Sequence, residues 1–320
     1  MNGFVHLLTS GVVALVQLAL VAAGGPLLLG LMRKVRSRLE GRVGAPIYQP
    51  LLDLRKLFTK QRMRPRESSW LFAAGPLVLV ATVVCVSAIS PLATTRPPMG
   101  QSADFFAIVF ALLLGSVVLA LSALDTGTAF GGMGSSRSMT IGALAEPALL
   151  VAILAMAIPA HTSNLPSLVH AGLTHPSLIA SPSRIFALAS FLVVILAESG
   201  RLPVDNPSTH LELTMIHEAM VLEYSGPDLG LIILGETMRL VFLLGLLVNL
   251  LAPWGVADRP GALFFVIGVA ALTAKVVVAG VAIAVFEVFT AKMRLFRLPE
   301  LLAGGFVLAL LGAVTAVVAR

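Results

Sequence analysis

Charged side chains inside long apolar runs are the residues of this chain best placed to do chemistry. A charge inside a lipid bilayer is costly, so such residues usually face a protein-lined or wet interior. Carboxyl groups in that setting are candidates for binding and releasing protons. Four carboxylates, and one amine near the middle of its run, therefore predict a proton path formed by Glu146, Glu198, Glu236, Lys275 and Glu287.

Arg239 is a further charge in an apolar run, and it lies three residues after Glu236. Residues three apart share a helix face, so a local ion pair is an alternative, purely structural interpretation of these two. With a rise of ~1.5 Å per residue, Glu146 and Glu236 lie about two turns inside one end of their runs. Glu198 and Glu287 lie close to the same end. The pattern predicts a polar cavity that four helices share.

A long polar segment, 199–227, carries most of the remaining acidic and histidine side chains. Within it, 206–224 is predicted to be a helix, because Asn206 can cap it and Pro207 suits a first helical turn. The stretch resembles the zinc-protease motif only at its HE pair, since Val221 occupies the place of the second histidine, and no metal site is predicted. The residues of interest in this segment are Arg201, Asp205, His210, Glu212, His217, Glu218 and Glu223.

Membrane helices are the elements that must position these residues. The 320 residues are 58% hydrophobic and 12% charged, whereas a soluble domain has about 25% charged residues. Backbone groups in lipid must be satisfied within the segment, and runs of about twenty apolar residues suit helices rather than barrel strands. We predict an all-α integral membrane protein, one polytopic domain over 1–320, with about eight transmembrane helices. The spans are predicted at 8–32, 70–92, 104–124, 139–159, 182–199, 228–252, 262–289 and 301–319.

Basic residues are distributed unevenly between the predicted loops. Segment 33–69 holds 11 of the 22 Lys and Arg residues, and its side of the membrane receives 16 in all, against 4 on the other side. Cytoplasmic loops carry an excess of Lys and Arg. We therefore predict that the basic loop 33–69 and the acidic loop 199–227 are cytoplasmic, with both termini on the outer side of the plasma membrane. No basic residue precedes the first run, 8–32, which predicts a retained helix rather than a cleaved signal peptide.

Two interpretations of the basic loop stay open. It is a topology signal that attracts anionic lipid, or it is a docking surface for a soluble partner. The apolar composition of the spans predicts contact with the lipid bilayer, and no nucleic-acid partner is predicted.

No redox centre, catalytic residue or metal site is predicted in this chain. Cys85 is its only cysteine, whereas an iron–sulfur cluster takes about four thiolate ligands. The predicted spans contain no histidine pair for a haem, and the sequence has no Walker-type glycine loop or nucleophile elbow. Any redox cofactor is therefore expected in partner chains.

Three segments carry a resemblance to a known family. They are Gly41–Phe58, GRVGAPIYQPLLDLRKLF; Glu198–Gly226, ESGRLPVDNPSTHLELTMIHEAMVLEYSG; and Lys292–Leu302, KMRLFRLPELL. They resemble the membrane subunit shared by respiratory complex I, in which it is the H subunit of NADH–quinone oxidoreductase, and the group 4 nickel–iron hydrogenases. The second segment is similar to the hydrogenase branch, which includes formate hydrogenlyase subunit 4 and hydrogenase-4 component C.

The resemblance implies a membrane-anchor and proton-coupling subunit of a formate hydrogenlyase-like complex. The implied partners are hydrogenase large and small subunits, an iron–sulfur protein and antiporter-like membrane subunits, with the nickel–iron centre and iron–sulfur clusters held by partners. Glu146 and Glu236 fall at acidic positions of the family. At matching loop positions stand Gln49, Pro50, Asp53, Arg201, Asp205, Glu212, Glu218 and Glu223, and the polar ones, with His210 and His217, are the predicted docking or coupling residues.

Other functions stay open. The family includes quinone-site subunits of complex I-like oxidoreductases, although the short form of the GRVGAPIYQP segment and the hydrogenase-like loop 199–227 favour the hydrogenase branch. A stand-alone ion or proton transporter would suit Lys275 and the buried carboxylates. A pure anchor without a coupling role is the simplest alternative.

Overall fold

The computed structural model describes residues 2–179, 181–205, 216–259, 261–291, 293 and 297–318, with side chains from residue 11 onward except that of residue 176. These ranges contain α-helices, two short 3-10 helices and two isolated β-bridges, and no strand. The helices are α1 (Asn2–Leu39), α2 (Gln49–Phe58), α3 (Trp70–Ile89), α4 (Phe105–Leu124), α5 (Ala129–Ala160), α6 (Leu165–Thr174), α7 (Pro182–Glu198), α8 (His217–Val221), α9 (Gly226–Leu251), α10 (Ala262–Phe289) and α11 (Leu298–Val318).

Seven helices in the described ranges are long and apolar enough to cross a membrane: α1 from Gly11 onward, α3, α4, α5, α9, α10 and α11. The helix α7 has 17 residues, the short end of the range of about 17–25 for a span, and it packs against α5, α9 and α11. Each of the eight predicted spans coincides with one of these helices. The predicted all-α integral membrane fold is confirmed.

Two helices extend beyond their predicted spans at the end of the bundle that carries residues 33–69 and 199–205, which we name the loop side. The helix α1 continues to Leu39, and an ion pair of 2.9 Å between Arg36 Nε and Glu40 Oε1 stabilises its last turn. The helix α5 begins at Ala129, where the Thr128 hydroxyl accepts a hydrogen bond from a backbone N–H of the first turn. Hydropathy located only the apolar part of each helix.

Two short helices lie in the polar segments of the loop side. The helix α2 begins one residue before Pro50, and Leu54 is buried on its inner face. The helix α8 coincides with part of the predicted helix 206–224, and a turn follows it. Residues 206–215 lie outside the described ranges, so the predicted capping by Asn206 stays a prediction.

The helix α9 is the centre of the bundle. It packs against α1, α3, α7 and α10, while α5, α7 and α11 form a second packed group and α3 pairs with α4. Small residues permit these close approaches. A Cβ added to Gly25 of α1 would lie 2.8 Å from the carbonyl carbon of Thr237, and one added to Gly312 of α11 would lie 2.9 Å from the carbonyl oxygen of Ser183.

Buried amide side chains hold the non-helical backbone at the opposite side of the bundle. Gln17 Nε2 donates to the carbonyl oxygen of Ser90 at 3.0 Å, and Asn249 Nδ2 donates to that of Leu92 at 2.7 Å. Buried carbonyl groups outside a helix need such partners. These contacts fix α1, α3 and α9 to one another at that side.

The basic loop is attached to the first turn of α9. Arg62 Nε lies 2.5 Å from Oδ2 of the buried Asp228, and the backbone N–H of Met63 donates to Ser225 Oγ at 3.1 Å. The carboxylate of Asp228 also suits the N-terminal end of a helix. The position of the basic loop is therefore set by α9.

Candidate functional site

A polar cavity of about 640 Å³ opens between α1, α4, α5, α7, α9 and α10 on the loop side. Part of its lining is apolar and includes Leu79 of α3, Leu119 and Leu243. Twelve titratable or charged side chains line the rest: Arg33, Arg36, Glu40, Arg42, Glu198, Arg201, Asp205, His217, Glu218, Glu236, Arg239 and Glu287. The predicted shared polar cavity is therefore present, and three of the four predicted glutamates line it.

Arg239 joins three helices at the inner part of this cavity. Its Nη2 atom lies 2.6 Å from Glu198 Oε2, at the end of α7, and 3.3 Å from Glu146 Oε1, on α5. Its Nη1 atom donates to the hydroxyl of Ser116 on α4. Glu146 and Arg239 are both buried. One guanidinium thus contacts two carboxylates from different helices in a largely water-excluded place.

The suggested local pair between Glu236 and Arg239 is wrong. The ion pairs among the described residues join Arg239 to Glu146 and Glu198, and none joins it to Glu236. Both residues are on the same face of α9, but the guanidinium extends toward α5 and α7. Glu236 is half-buried and lines the cavity.

A second ion pair connects the segment after α7 with α10. Arg201 Nη1 lies 3.4 Å from Glu287 Oε1, and both side chains are almost inaccessible. Burial lowers the pKa of Arg201, while the carboxylate of Glu287 opposes that shift. This contact fixes residues 199–205 against the end of a membrane helix.

His217 and Asp205 form a third pair at the cavity. His217 Nδ1 lies 3.8 Å from Asp205 Oδ2, which also accepts a hydrogen bond from the backbone N–H of Ile216 at 3.2 Å. Burial opposes protonation of the imidazole, but the carboxylates of Asp205 and Glu236 outweigh it, so the pKa of His217 is raised above its ordinary value. Gly200, with a φ of 57°, lies so close that a Cβ there would be 2.8 Å from His217 Nδ1.

The other predicted loop residues are not brought to one place. Glu218 is exposed and lines the cavity, whereas Glu223 is exposed in the turn after α8. Gln49 Nε2 donates to Asp53 Oδ1 at 3.0 Å within α2, and neither residue lines the cavity. His210 and Glu212 lie outside the described residues.

Lys275 lies apart from the acidic cluster. Its Nζ atom donates to the carbonyl oxygen of Ala252 at 2.6 Å and lies 3.4 Å from Asn249 Oδ1, both at the end of α9 on the opposite side. Asn249 is ten residues from Arg239, a separation of ~15 Å along a helix. A proton path through Lys275 stays a prediction.

Comparison with known proteins agrees with the arrangement of these helices and loops. A family model described as NADH dehydrogenase matches residues 11–318. The chain belongs to the NADH dehydrogenase family. The resemblance predicted from the three segments is thereby confirmed.

Relatives in the NADH dehydrogenase family come from both branches that the sequence suggested. Formate hydrogenlyase subunit 4 of Escherichia coli (strain K12) is 30% identical over 301 residues, covering 94% of this chain and 97% of the relative. Hydrogenase-4 component C of the same organism is 31% identical over 249 residues, covering 77% and 76%. The H subunit of NADH-quinone oxidoreductase from Syntrophotalea carbinolica (strain DSM 2380 / NBRC 103641 / GraBd1) is 30% identical over 256 residues, covering 74% and 75%.

A solved structure has the same fold. It is a chain of the membrane-bound sulfane sulfur reductase, an archaeal respiratory membrane complex, with a TM-score of 0.83, 20% sequence identity, and coverage of 96% of this chain and 99% of that chain. At that identity the likeness supports the fold alone.

The sequence did not predict two parts of this site. Arg36 and Arg42 both pair with Glu40 at the mouth of the cavity, because α1 extends beyond its apolar run. Ser116 contacts Arg239 from α4, and a lone serine in an apolar span carries no signal in one sequence. The charge of Arg239 inside a span was the signal for its importance, but spacing could suggest only a local partner.

Proposed function

We propose that this chain is the membrane-anchor and proton-coupling subunit of a group 4 nickel–iron hydrogenase complex of the formate hydrogenlyase type. The observation that carries the proposal is the contact of Arg239 with both Glu146 and Glu198, beside a cavity that both polar loops border. The relatives named formate hydrogenlyase subunit 4 and hydrogenase-4 component C support the choice of complex.

The three-residue cluster of Glu146, Glu198 and Arg239 has the charge balance of a one-proton site. With both carboxylates ionised it carries a charge of −1, and with one proton bound it is neutral. Burial of uncompensated charge is costly, so proton binding and movement of the guanidinium are coupled. Glu198 is the last residue of α7 and directly precedes the loop, which places one carboxylate where a change in the loop reaches it.

Docking of partners is assigned to the two loops. In this proposal the loop side is cytoplasmic, the chain is in the plasma membrane, and both termini are on the outer side. Loops 33–69 and 199–227 bind the electron-transfer module, which contains hydrogenase large and small subunits and an iron–sulfur protein. Antiporter-like membrane subunits contact the spans. The nickel–iron centre and iron–sulfur clusters belong to those partners, since Cys85 is the only cysteine of this chain.

Gentle purification of the complex through a tag on this chain tests the assembly part of the proposal. Mass spectrometry identifies the proteins that accompany it, and metal analysis measures nickel and iron in the eluate. Nickel, iron and a hydrogenase-like large subunit are the expected result. Iron without nickel would contradict the hydrogenase assignment. Purification of the chain alone, under conditions that keep related complexes together, would contradict the subunit role, and transport by the isolated chain would then be measured in vesicles.

Proton movement by the assembled complex tests the coupling part. We expect Glu146→Gln and Glu198→Gln each to reduce turnover-linked acidification or alkalinisation of proteoliposomes, measured with a trapped pH dye, by about a hundredfold or more, the lower end of what a positioned proton-transfer group contributes. Glu300→Gln is the matched control, because Glu300 is an exposed carboxylate at the start of α11 that does not line the cavity. Unchanged proton movement in both cavity variants would refute the proton path through this cluster.

A second function, the quinone-site subunit of a complex I-like oxidoreductase, is favoured by the cavity itself. Its volume of about 640 Å³ falls within the range of about 300–1,000 Å³ that small-molecule sites have. Its apolar wall and polar mouth suit an amphipathic ligand, and one relative is named as the H subunit of an NADH-quinone oxidoreductase. Labelling of the intact complex with a photoreactive quinone separates the two functions. Labelled peptides from α4 and α9, with loss of turnover, would support the quinone function, and no labelling would contradict it.

A further inference from the structure

The helix α2 packs across the ends of two membrane helices. A Cβ added to Gly30 of α1 would lie 1.9 Å from the carbonyl oxygen of Ile47, and one added to Gly230 of α9 would lie 3.4 Å from Leu57 Cβ. Both glycines are two residues inside the spans predicted from hydropathy, 8–32 and 228–252. The helix α2 is therefore at the level where the apolar part of the spans ends, which is the boundary between acyl chains and headgroups.

The outer face of α2 is apolar as well as charged. Pro50 and Leu54 are buried against the bundle. Away from the bundle, Tyr48 and Leu52 are 56% and 46% exposed. Phe58 lies on the side of Leu54, where its ring packs against Gly230 of α9. Large apolar side chains beside basic ones are typical of helices that lie in a membrane interface.

Three basic side chains next to these apolar residues have no ionic partner within the described part of the chain. Arg55, Lys56 and Lys60 are exposed, and none of the ion pairs involves them. Arg62, only two residues after Lys60, is instead paired with Asp228. We name this region the α2 surface, and it consists of Tyr48, Leu52, Arg55, Lys56 and Lys60. Its positive charge is available to an external anion.

We propose that the α2 surface binds the headgroups of anionic phospholipids in the leaflet on the loop side, while the other residues of loop 33–69 remain for docking the electron-transfer module. Tyr48 and Leu52 enter the boundary of the acyl chains, while Arg55 and Lys56 contact lipid phosphates. The level of α2 at the end of the apolar spans favours lipid over a soluble protein as the occupant, because exposed apolar side chains at that level lie beside acyl chains. The single carboxylate of Asp53 does not cancel the charge of the three basic side chains. It accepts a hydrogen bond from the side-chain amide of Gln49.

Fluorescence quenching by brominated lipids tests this proposal with the full chain in lipid nanodiscs. The chain has two tryptophans, Trp70 and Trp254. Tyr48→Trp, with both tryptophans replaced by Phe, gives a single reporter on the α2 surface. We expect brominated phosphatidylglycerol to quench it more than brominated phosphatidylcholine at equal mole fraction. One basic residue near a membrane surface raises the affinity for anionic lipid about fivefold. The preference for phosphatidylglycerol over phosphatidylcholine should therefore fall as salt is added.

Removal of the charges gives the second measurement. In the reporter chain, Arg55→Gln, Lys56→Gln and Lys60→Gln together should reduce the preference to about one, whereas Arg55→Lys should retain it. The matched reporter is Trp254 in a chain that carries Trp70→Phe. Trp254 lies on the opposite side of the bundle, so its quenching should not change when the three basic residues are substituted. Equal quenching by the two lipids at position 48, or a preference that the three Gln substitutions leave unchanged, would overturn the proposal. Loss of co-purifying partner proteins without a change in lipid preference would identify the surface as a protein interface instead, which also overturns it.

Discussion

Substitution of Arg239 by Gln tests the central contact of the site. The change removes the buried guanidinium, whose Nη2 atom lies 2.6 Å from Glu198 Oε2 and 3.3 Å from Glu146 Oε1. Breaking a buried ion pair by removing one partner typically costs about 3–5 kcal/mol, and the lost hydrogen bond between the guanidinium and Ser116 adds about 1.5–3 kcal/mol. Protonation of one carboxylate offsets part of this cost. We expect the free energy of unfolding to fall by about 3–5 kcal/mol in total.

A double-mutant cycle with Glu198→Gln separates the pair from other effects of Arg239→Gln. In Glu198→Gln alone, the guanidinium keeps its contact with Glu146, so the loss should be smaller than in Arg239→Gln. The double variant removes both charges and should be more stable than the sum of the two single losses predicts. For side chains in direct contact we expect a coupling energy of about 1–3 kcal/mol.

Steric trapping of the full chain in bicelles, under conditions where unfolding is reversible, measures these free energies of unfolding. Arg259→Gln is the control, because Arg259 is exposed on the opposite side and its loss should change stability by less than about 0.5 kcal/mol. A loss below about 1 kcal/mol in Arg239→Gln would contradict a buried ion pair. Additive losses, within about 0.5 kcal/mol, would show that Arg239 and Glu198 do not interact energetically.

Three further predictions concern single contacts. Ser116→Ala should lower the free energy of unfolding by about 1.5–3 kcal/mol, measured by the same assay, because a hydrogen bond to a charged group is lost. Gly30→Ala should cost at least about 1–3 kcal/mol, since its Cβ would meet the carbonyl oxygen of Ile47, whereas Gly142→Ala, with open space around it, should be neutral or stabilising. Because the pKa of His217 is raised in the folded state, protonation of His217 stabilises the fold, fully so below the unfolded-state pKa of about 6.5. This stabilisation is lost as pH rises through the folded-state pKa. Thermal unfolding measured against pH should show the decline, and His217→Gln should remove it.

The spans and the acidic cluster could be predicted because both depend on properties that one sequence contains. Apolar runs set the helices, and a charge inside a run must face the protein interior, which brought Glu198, Glu236 and Glu287 to one cavity. The partners of Arg239 could not be predicted, because periodicity reveals neighbours on the same helix and gives no information on how helices are rotated. The contacts of Lys275 with the far end of α9 depend on packing in the same way.

The course of α1 beyond its apolar run is a second feature that hydropathy could not give. Arg33 and Arg36 are polar, so the sequence placed them in a loop, whereas the helix continues to Leu39 and carries them to the mouth of the cavity. Helix propensity favours this continuation, since arginine is a good helix former and Glu40 pairs with Arg36 four residues before it.

The arrangement of ion pairs relates the acidic loop 199–227 to the buried cluster through one short segment. Residues 199–205 follow Glu198 directly, Arg201 in this segment pairs with Glu287 of α10, and Asp205 lies beside His217 of α8. A rigid segment cannot move without changing the distance between Glu198 and Arg239, because α7 ends at that carboxylate. If Glu198 withdrew, Arg239 would lose the shorter of its two carboxylate contacts and keep Glu146 as its partner. A docked partner that shifts this segment would therefore act on the proposed proton site by changing the distance between Glu198 and Arg239.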